Sequence, residues 1–254
     1  MGYILSIKLA MLFFPALAFV ITLPYMIANY RKYGSVNKLR TLIVYSFALY
    51  LLTVYLLVIL PLPNRESIHS RYTDMLNLVP FAFVIDFIKN SPFALSNSTS
   101  WIMALKHPSF YVPAFNVLML IPFGIYMRYY FKCSFKKTML LTALLSLFFE
   151  LTQLSGLYFI YSGPYRLGDI DDIIQNTTGG CLGYLIGWFA VKILPSRDRI
   201  DEKSLELGTR VSGIRVLLSL IIDILIVFIP YSLSKTEIPL WPFVAGYFAL
   251  IPLL

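Results

Sequence analysis

A short acidic segment of the chain has the residue types of a binding site. Residues 166–172 read RLGDIDD and place Arg166, Asp169, Asp171 and Asp172 at the start of an apolar run. An acid in the first turn of a helix caps free N–H groups and faces the positive end of the helix dipole. Capping accounts for one aspartate and leaves two unexplained. An arginine beside them can hold a phosphate or carboxylate through two hydrogen bonds, so the segment is a candidate ligand site.

A further acid lies deep inside another apolar run. Glu150 follows TMLLTALLSLFF, and Gln153 comes three residues later on the same helix face. A carboxyl group inside a membrane is costly unless it is neutral or partnered, and such groups usually serve function. Glu150 and Gln153 are therefore candidate ligand-binding residues. The alternative is hydrogen bonding within the bundle for packing alone.

Helical spacing relates the two segments. Asp169, Asp172 and Asn176 lie three and four residues apart, so they share one face of the predicted helix. We expect this face to look inward, towards Glu150. Arg166 is expected to fold over it as a counter-charge.

Two more amides are candidates for the same polar site. Asn116 lies near one end of the third apolar run, and Pro122 loosens the helix beyond it. Asn77 directly precedes LVPF and is expected at the surface. A buried amide needs hydrogen-bond partners, so we include both among the candidate ligand-binding residues.

Glycines recur at every fourth position after the acidic segment. The stripe consists of Gly179, Gly183 and Gly187, and Gly180 widens it. Small residues at this spacing let another helix approach closely. We predict a helix-packing role, which brings the fourth apolar helix close enough for Glu150 to meet Asn176.

Residues typical of metal or cofactor sites are sparse. His69 and His107 have no partner at a metal-ligand spacing, and Cys133 and Cys181 form no CxxC pair. No HExxH sequence, Ser-His-Asp pattern or phosphate-binding loop is present. We therefore predict no metal site and no cofactor.

The candidate residues are set in a chain with the composition of a membrane protein. Of its 254 residues, 58% are hydrophobic and 13% are charged, whereas soluble domains carry about 25% charged residues. The net charge of +8 comes from cations in short loops, which favours membrane topology over nucleic-acid binding. We predict an all-α, polytopic transmembrane helix bundle with membrane lipids as partners; the oligomeric state stays open.

Apolar runs near the length of a membrane span recur along the chain. They cover residues 3–30, 40–60, 113–131, 138–161, 172–194, 212–231 and 238–254. The first five form one predicted domain, and the last one or two begin another. Two aromatic stretches within loop 61–112 are too short to span and suit interfacial or re-entrant helices, with a plain anchored loop as the alternative.

Lysine and arginine predict the orientation of the bundle. Loops 31–40 and 128–137 each carry four cations and no acid, and segment 195–211 is also rich in charge. These three alternate along the chain, so all can be cytoplasmic. The N-terminus, loop 61–112 and the acidic segment are then predicted to lie outside.

The assembled motifs resemble the VanZ-like family. The resemblance rests on NLVPF at 77–81, NVLMLIPFG at 116–124, ELTQ at 150–153 and RLGDIDDIIQNTTGG at 166–180. It covers about residues 1–195 and implies a membrane protein of the bacterial cytoplasmic membrane, mostly in Gram-positive organisms. The family's name-giving member is associated with low-level teicoplanin resistance. No reaction is implied.

A second resemblance begins after the charged linker, residues 196–211. In GIRVLLSLIIDILIVFIP, Arg215 and Asp223 are placed as in the first helix of the RDD family, which is suggested to act in transport. Residues 212–254 are therefore predicted to begin an RDD-like transmembrane domain that is truncated. Arg215 is expected to be cytoplasmic and Asp223 buried, with packing and an ion path as equal alternatives.

Three functions remain open at this point. The first is binding or modulation of a lipid-linked or lipophilic ligand, such as a headgroup, a cell-wall precursor or a lipoglycopeptide, at an outward-facing polar site. The second is a membrane enzyme acting on a lipid-linked substrate, in which the clustered carboxylates bind Mg²⁺ or act as acid and base; no nucleophile is evident for it. The third is an ion or solute transporter that uses Glu150 and Asp223.

Overall fold

The computed structural model describes residues 2–68, 71–94, 96–209, 213–234 and 239–250. One of the histidines considered above, His69, lies outside these residues. Backbone contacts form two compact units, Met1–Thr22 with Lys38–Ile200 and Leu23–Asn37 with Asp201–Leu254. The polar residues between 77 and 176 all belong to the first unit. The domain boundaries predicted from the sequence stay predictions.

The described chain is almost entirely helical, so the predicted all-α fold class is confirmed. The helices are α1 (Gly2–Tyr33), α2 (Lys38–Ile59), α3 (Ala82–Asn90), α4 (Ser98–Leu105), α5 (Pro108–Tyr129), α6 (Phe135–Leu154), α7 (Gly156–Phe159), α8 (Ile170–Ile193), α9 (Arg197–Gly208), α10 (Gly213–Ser234) and α11 (Trp241–Leu250). Short 3-10 helices cover Arg65–Ser67 and Tyr72–Met75. Two-residue strands β1 (Leu76–Asn77) and β2 (Gly168–Asp169) pair in parallel.

Several helices have the length and composition of membrane spans. Among the described residues, α1, α2, α5 and α6 meet both requirements, and α8 does so together with α9, which follows at a bend of 46°. Large apolar side chains on their outer surfaces are exposed, including Phe19 at 82% and Ile193 at 79%. Such surfaces suit acyl chains rather than water. The chain is therefore a multi-pass membrane protein.

The apolar core of the first unit lies between α2, α5 and α6. Its buried members are Val54, Leu120, Phe123, Met127 and Phe149. Side-chain oxygens cap the starts of α6 and α8. Ser134 accepts the Lys137 N–H at α6, and Asp169 accepts the Asp171 N–H at α8. Helix α8 packs most extensively against α5 and next against α6.

Helix α6 ends earlier than the apolar run predicts. The run extends over 138–161, but the helix ends at Leu154 because the chain turns left-handed. Gly156 has φ 62°, and Leu157 and Tyr158 follow with φ 54° and 59°. Glycine suits this conformation, whereas the following residues bear its steric cost. The chain after this turn leads to the acidic segment 166–172.

The two segments between the predicted spans contain helices of their own. The charged stretch predicted as a linker forms α9, in which Ile200 is 3% exposed and packs against Ile43, Tyr129 and Tyr130. Loop 61–112 holds the short helices α3 and α4, as predicted. Their position relative to a membrane surface stays a prediction.

Candidate functional site

The deeply placed acid of α6 contacts the start of α8. Glu150 is 5% exposed, and its Oε2 accepts the backbone N–H of Asp169 at 3.0 Å. The chain reverses after α6, and β2, which directly precedes α8, lies against α6. Glu150 and the acidic segment, 19 residues apart in the sequence, therefore belong to one site.

A cavity of about 370 Å³ opens beside Glu150, in the size range of small-molecule sites. Its polar lining consists of Asn116, Glu150, Gln153, Arg166, Asp172 and Asn176. Its apolar lining includes Leu57, Val58, Val112, Phe115, Met119 and Phe149. We call it the polar cavity. Helices α2, α5, α6 and α8 all contribute to it, together with the segment that holds Arg166.

One aspartate of α8 is tied to α5 across the polar cavity. Asn116 Nδ2 donates to Asp172 Oδ1 at 2.7 Å and to Gln175 Oε1 at 2.9 Å. Asp172 and Gln175 are one turn apart on α8, so a single amide joins both to the neighbouring helix. Gln175 is 5% exposed and was not predicted as a site residue, although its spacing from Asp172 places it beside the predicted face.

Asn176 lines the polar cavity with only part of its hydrogen-bonding capacity used. Its Nδ2 donates to Ser146 Oγ at 2.8 Å. Its Oδ1 is buried and has no hydrogen-bond partner among the described residues. Ser146, which is fully buried, lies one turn before Glu150 on α6. Sequence reasoning missed Ser146, although its four-residue spacing from Glu150 is the signal that could have found it.

Arg166 lies at the exposed side of the polar cavity. Its Nη1 donates to the Val58 carbonyl oxygen at 2.8 Å, and Gln153 Nε2 donates to the same oxygen at 2.8 Å. It interacts electrostatically with Glu150 and Asp172, but it forms no ion pair within the described part of the chain. Arg166 therefore lies near both acids without an ion pair, and its guanidinium is bonded to the end of α2.

Tyrosines support the segment that carries Arg166. The rings of Tyr161 and Tyr165 lie 5.5 Å apart, and the Tyr165 hydroxyl donates to the Ile59 carbonyl oxygen at 3.5 Å. Burial raises the pKa of Tyr165 to about 12, so the phenol stays protonated near neutral pH.

The three aspartates of the acidic segment have different hydrogen-bond partners in the structure. Asp169 is the N-cap of α8, and its Oδ2 accepts from Asn77 Nδ2 at 3.1 Å. Asp171 is 1% exposed, and its two oxygens accept the backbone N–H groups of Phe81 at 2.6 Å and Phe83 at 3.0 Å. Phe81 is left-handed at φ 62°. Asp171 thus anchors the start of α3 and does not line the polar cavity.

A second cavity of about 350 Å³ lies on the other side of Asp172. Polar residues in its lining include Asn77, Asp86, Ser109, Asp169, Asp171 and Gln175. Asp172 and Val112 line both cavities. The predicted residues Asn77, Asp169 and Asp171 therefore surround this second space, whereas Glu150, Gln153, Arg166 and Asn176 surround the polar cavity.

The glycine stripe faces α5 more than α6. A Cβ added to Gly179 would collide with the Val117 carbonyl, and one added to Gly183 would collide with that of Ile121. Gly187 approaches the Arg128 side chain, and only Gly180 of the four faces Thr142 on α6. The fourth apolar helix, α6, was expected as the partner, whereas three of the four glycines meet α5. The spacing identifies a close contact but carries no information about its partner.

The second unit contains the acid of the proposed RDD-like helix. Asp223 on α10 accepts a hydrogen bond from the Tyr247 hydroxyl on α11. The two residues line an otherwise apolar cavity of about 240 Å³. The side chain of Arg215 lies outside the described residues.

His107 lies in the first unit, where its side chain accepts the Ser109 N–H as the N-cap of α5.

The described residues contain no group of three or more His, Cys, Asp and Glu that could hold a metal ion.

Among known protein families, the model of VanZ/LLP1 matches residues 47–194, more than half of the chain. This range holds every residue that lines the polar cavity. No curated protein and no solved structure matches the chain significantly.

Proposed function

The chain belongs to the VanZ/LLP1 family, and from this premise we propose that it binds an amphiphilic ligand of the cell envelope in the polar cavity. The family is associated with teicoplanin resistance, and the chain is a multi-pass membrane protein. The ligand's polar part would occupy the cavity, and its apolar part would lie along the exposed surfaces of the helices.

One observation carries the proposal, the convergence of polar groups on an accessible space inside an apolar bundle. Acids or amides come from α5, α6 and α8, and each buried one costs free energy that packing alone does not require. A network that served only packing would fill the space between the helices. A cavity of about 370 Å³ instead leaves room for roughly ten water molecules or one headgroup.

The mixed lining favours an amphiphile over a small polar solute. Carboxylates and amides form one part of the wall, and aliphatic and aromatic side chains such as Leu57, Phe115 and Met119 form another. The lysines and arginines lie mainly in alternate loops, and their distribution favours an outward-facing cavity. A lipid headgroup, a lipid-linked wall precursor and a lipoglycopeptide all combine a polar group with an apolar chain.

Teicoplanin susceptibility of a bacterium that expresses the protein tests the proposal. We expect Glu150→Gln and Asp172→Asn to abolish any resistance that the wild-type chain confers, with unchanged amounts of protein in the membrane. Glu66→Gln is the matched control, since Glu66 is exposed and lines neither cavity. Full resistance in both cavity variants would overturn the proposed site.

Ligand capture provides a second, direct test. Leu57→Trp should fill part of the polar cavity without changing its charge. Native mass spectrometry of the purified protein should show a bound amphiphile on the wild type and less of it on this variant. An equal amount on both proteins would place the ligand elsewhere.

A further inference from the structure

The donors and acceptors of the polar cavity are distributed unequally. Every amide nitrogen in its lining already donates within the protein, Asn116 to Asp172 and Gln175, Gln153 to Val58, and Asn176 to Ser146. The oxygens are only partly used. Gln153 and Asn176 each use one of their two amide N–H bonds, so away from the exposed Arg166 the lining offers more unused acceptors than donors and favours a ligand that donates hydrogen bonds.

An unpaired amide oxygen is a second reason, independent of the acids, to expect a ligand that donates hydrogen bonds. Asn176 is 3% exposed, and its Oδ1 has no partner within the described residues. A buried carbonyl oxygen without a hydrogen bond costs free energy. Asn176 lines the same cavity as Glu150 and Asp172, so a donor bound among these three residues would satisfy this oxygen as well.

The charges of the cavity lining favour a ligand whose hydrogen-bond donor is a cation. Two carboxyl groups, those of Glu150 and Asp172, line the cavity against one cation, Arg166, which is exposed and bonded to Val58. A buried carboxylate needs a counter-charge, and charge-assisted hydrogen bonds are the strongest ones available to it. A hydroxyl group would supply donors without charge, so it would satisfy the lining less completely.

A divalent metal ion is the less favoured cation. Within the described ranges, no group of three or more His, Cys, Asp and Glu is placed to hold one. Mg²⁺ requires near-ideal octahedral geometry and Ca²⁺ takes six to eight oxygens. An ammonium group needs only three acceptors around its N–H bonds.

We propose that the ligand's deepest group is a primary ammonium, held between Glu150, Asp172 and the Asn176 amide oxygen. This inference rests on the proposed function and deepens it. The exposed guanidinium of Arg166 suits an anionic group next to the ammonium, because arginine binds phosphate through paired N–H donors. An aminoethyl phosphate headgroup combines both charges.

Headgroup selectivity of the full chain tests the inference. The protein is placed in phosphatidylcholine nanodiscs, and retention of added phosphatidylethanolamine, its N-acetyl derivative and phosphatidylglycerol is measured by native mass spectrometry. We expect phosphatidylethanolamine to be retained about tenfold more strongly than the N-acetyl derivative. Phosphatidylcholine carries a quaternary ammonium group that has no N–H, so its failure to displace phosphatidylethanolamine separates hydrogen bonding from charge alone.

Isosteric variants test which residues cause the preference for phosphatidylethanolamine. Glu150→Gln and Asp172→Asn should each reduce the preference for phosphatidylethanolamine to about that for phosphatidylglycerol, whereas Glu66→Gln should keep it. The comparison of lipids on the wild-type protein does not depend on the folding of any variant. Soluble glycerophosphoethanolamine distinguishes the sources of the group, since its competition assigns recognition to the headgroup alone and its failure to compete assigns it to the lipid.

The two proposals fail in different ways. Equal retention of the three added lipids on the wild type, with loss in Leu57→Trp, overturns the ammonium and leaves amphiphile binding standing. Displacement of the amine by millimolar Mg²⁺ or Ca²⁺ also overturns it, in favour of a metal ion. No retention of any lipid beyond that of Leu57→Trp overturns the proposed function itself.

Discussion

The two halves of α8 show opposite ways for a helix to meet its neighbours. Between Asp171 and Asn176 four of its six side chains are polar, and these hydrogen-bond to α3, α5 and α6 around two cavities. From Gly179 to Gly187 it has glycines where α5 and α6 approach its backbone closely. The second half brings the helices into direct contact, and the first half holds them far enough apart to leave space. A binding site in this bundle therefore depends on close packing one turn away from it.

The glycine half should be the most sensitive to substitution. We expect Gly183→Leu to prevent folding or to destabilise the protein by more than about 3 kcal/mol, because the new Cβ would collide with the Ile121 carbonyl. Fluorescence-detected size exclusion after heating measures the change. Gly246→Leu is the control, since a Cβ there meets nothing within 4 Å. Similar stability of both variants would contradict the close packing.

The anchoring acid of the polar half should come next. Asp171→Asn should cost about 2 kcal/mol, because one side-chain oxygen that accepts from Phe81 or Phe83 becomes an N–H₂ group. Hydrogen exchange should speed up at the amides of these two residues. Asp74→Asn, at an exposed position, should leave both rates unchanged. Retained protection in Asp171→Asn would mean that the anchor is not needed.

Neutralising the cavity acid should change stability less and binding more. Glu150→Gln keeps the size of the side chain, and its amide oxygen can still accept from Asp169, so we expect a stability change within about 1 kcal/mol. Retention of an amine-bearing lipid should fall about tenfold. Thermal unfolding and native mass spectrometry on the same sample separate the two effects. A large loss of stability with unchanged binding would make Glu150 a packing residue.

The exposed cation should give the smallest effect. Arg166→Lys keeps the charge but loses the paired donors, so stability should change by no more than about 0.5 kcal/mol. Retention of an anionic headgroup should weaken by a factor of a few. Arg71→Lys, also exposed and outside both cavities, is the matched control. An effect as large as that of Glu150→Gln would place Arg166 at the centre of the site.

The two halves of α8 also differ in how much of their structure the sequence predicts. Apolar runs and the spacing of Asp169, Asp172 and Asn176 predict the helix, its cap and its polar face, because these depend on neighbouring residues in one helix. The partners of Asp171 lie about 90 residues away on backbone N–H groups, which no side-chain pattern identifies. The same holds for α5 as the partner of the glycines.

Two further features depend on conformation rather than residue type. The early end of α6 follows from a left-handed turn in which only Gly156 favours positive φ. The cavities exist because side chains from several helices fail to fill a space, and this is a property of their three-dimensional arrangement. Hydrophobic periodicity predicts which faces are buried but not where packing is incomplete.

The short strand pair limits how the chain can tolerate insertions. Asn77 is paired with Asp169, and four residues later Phe81 is bonded to Asp171. Both contacts are made to the start of one rigid helix, so the chain between them has a fixed length. An added residue between Asn77 and Phe81 would break one contact or move side chains to the opposite face.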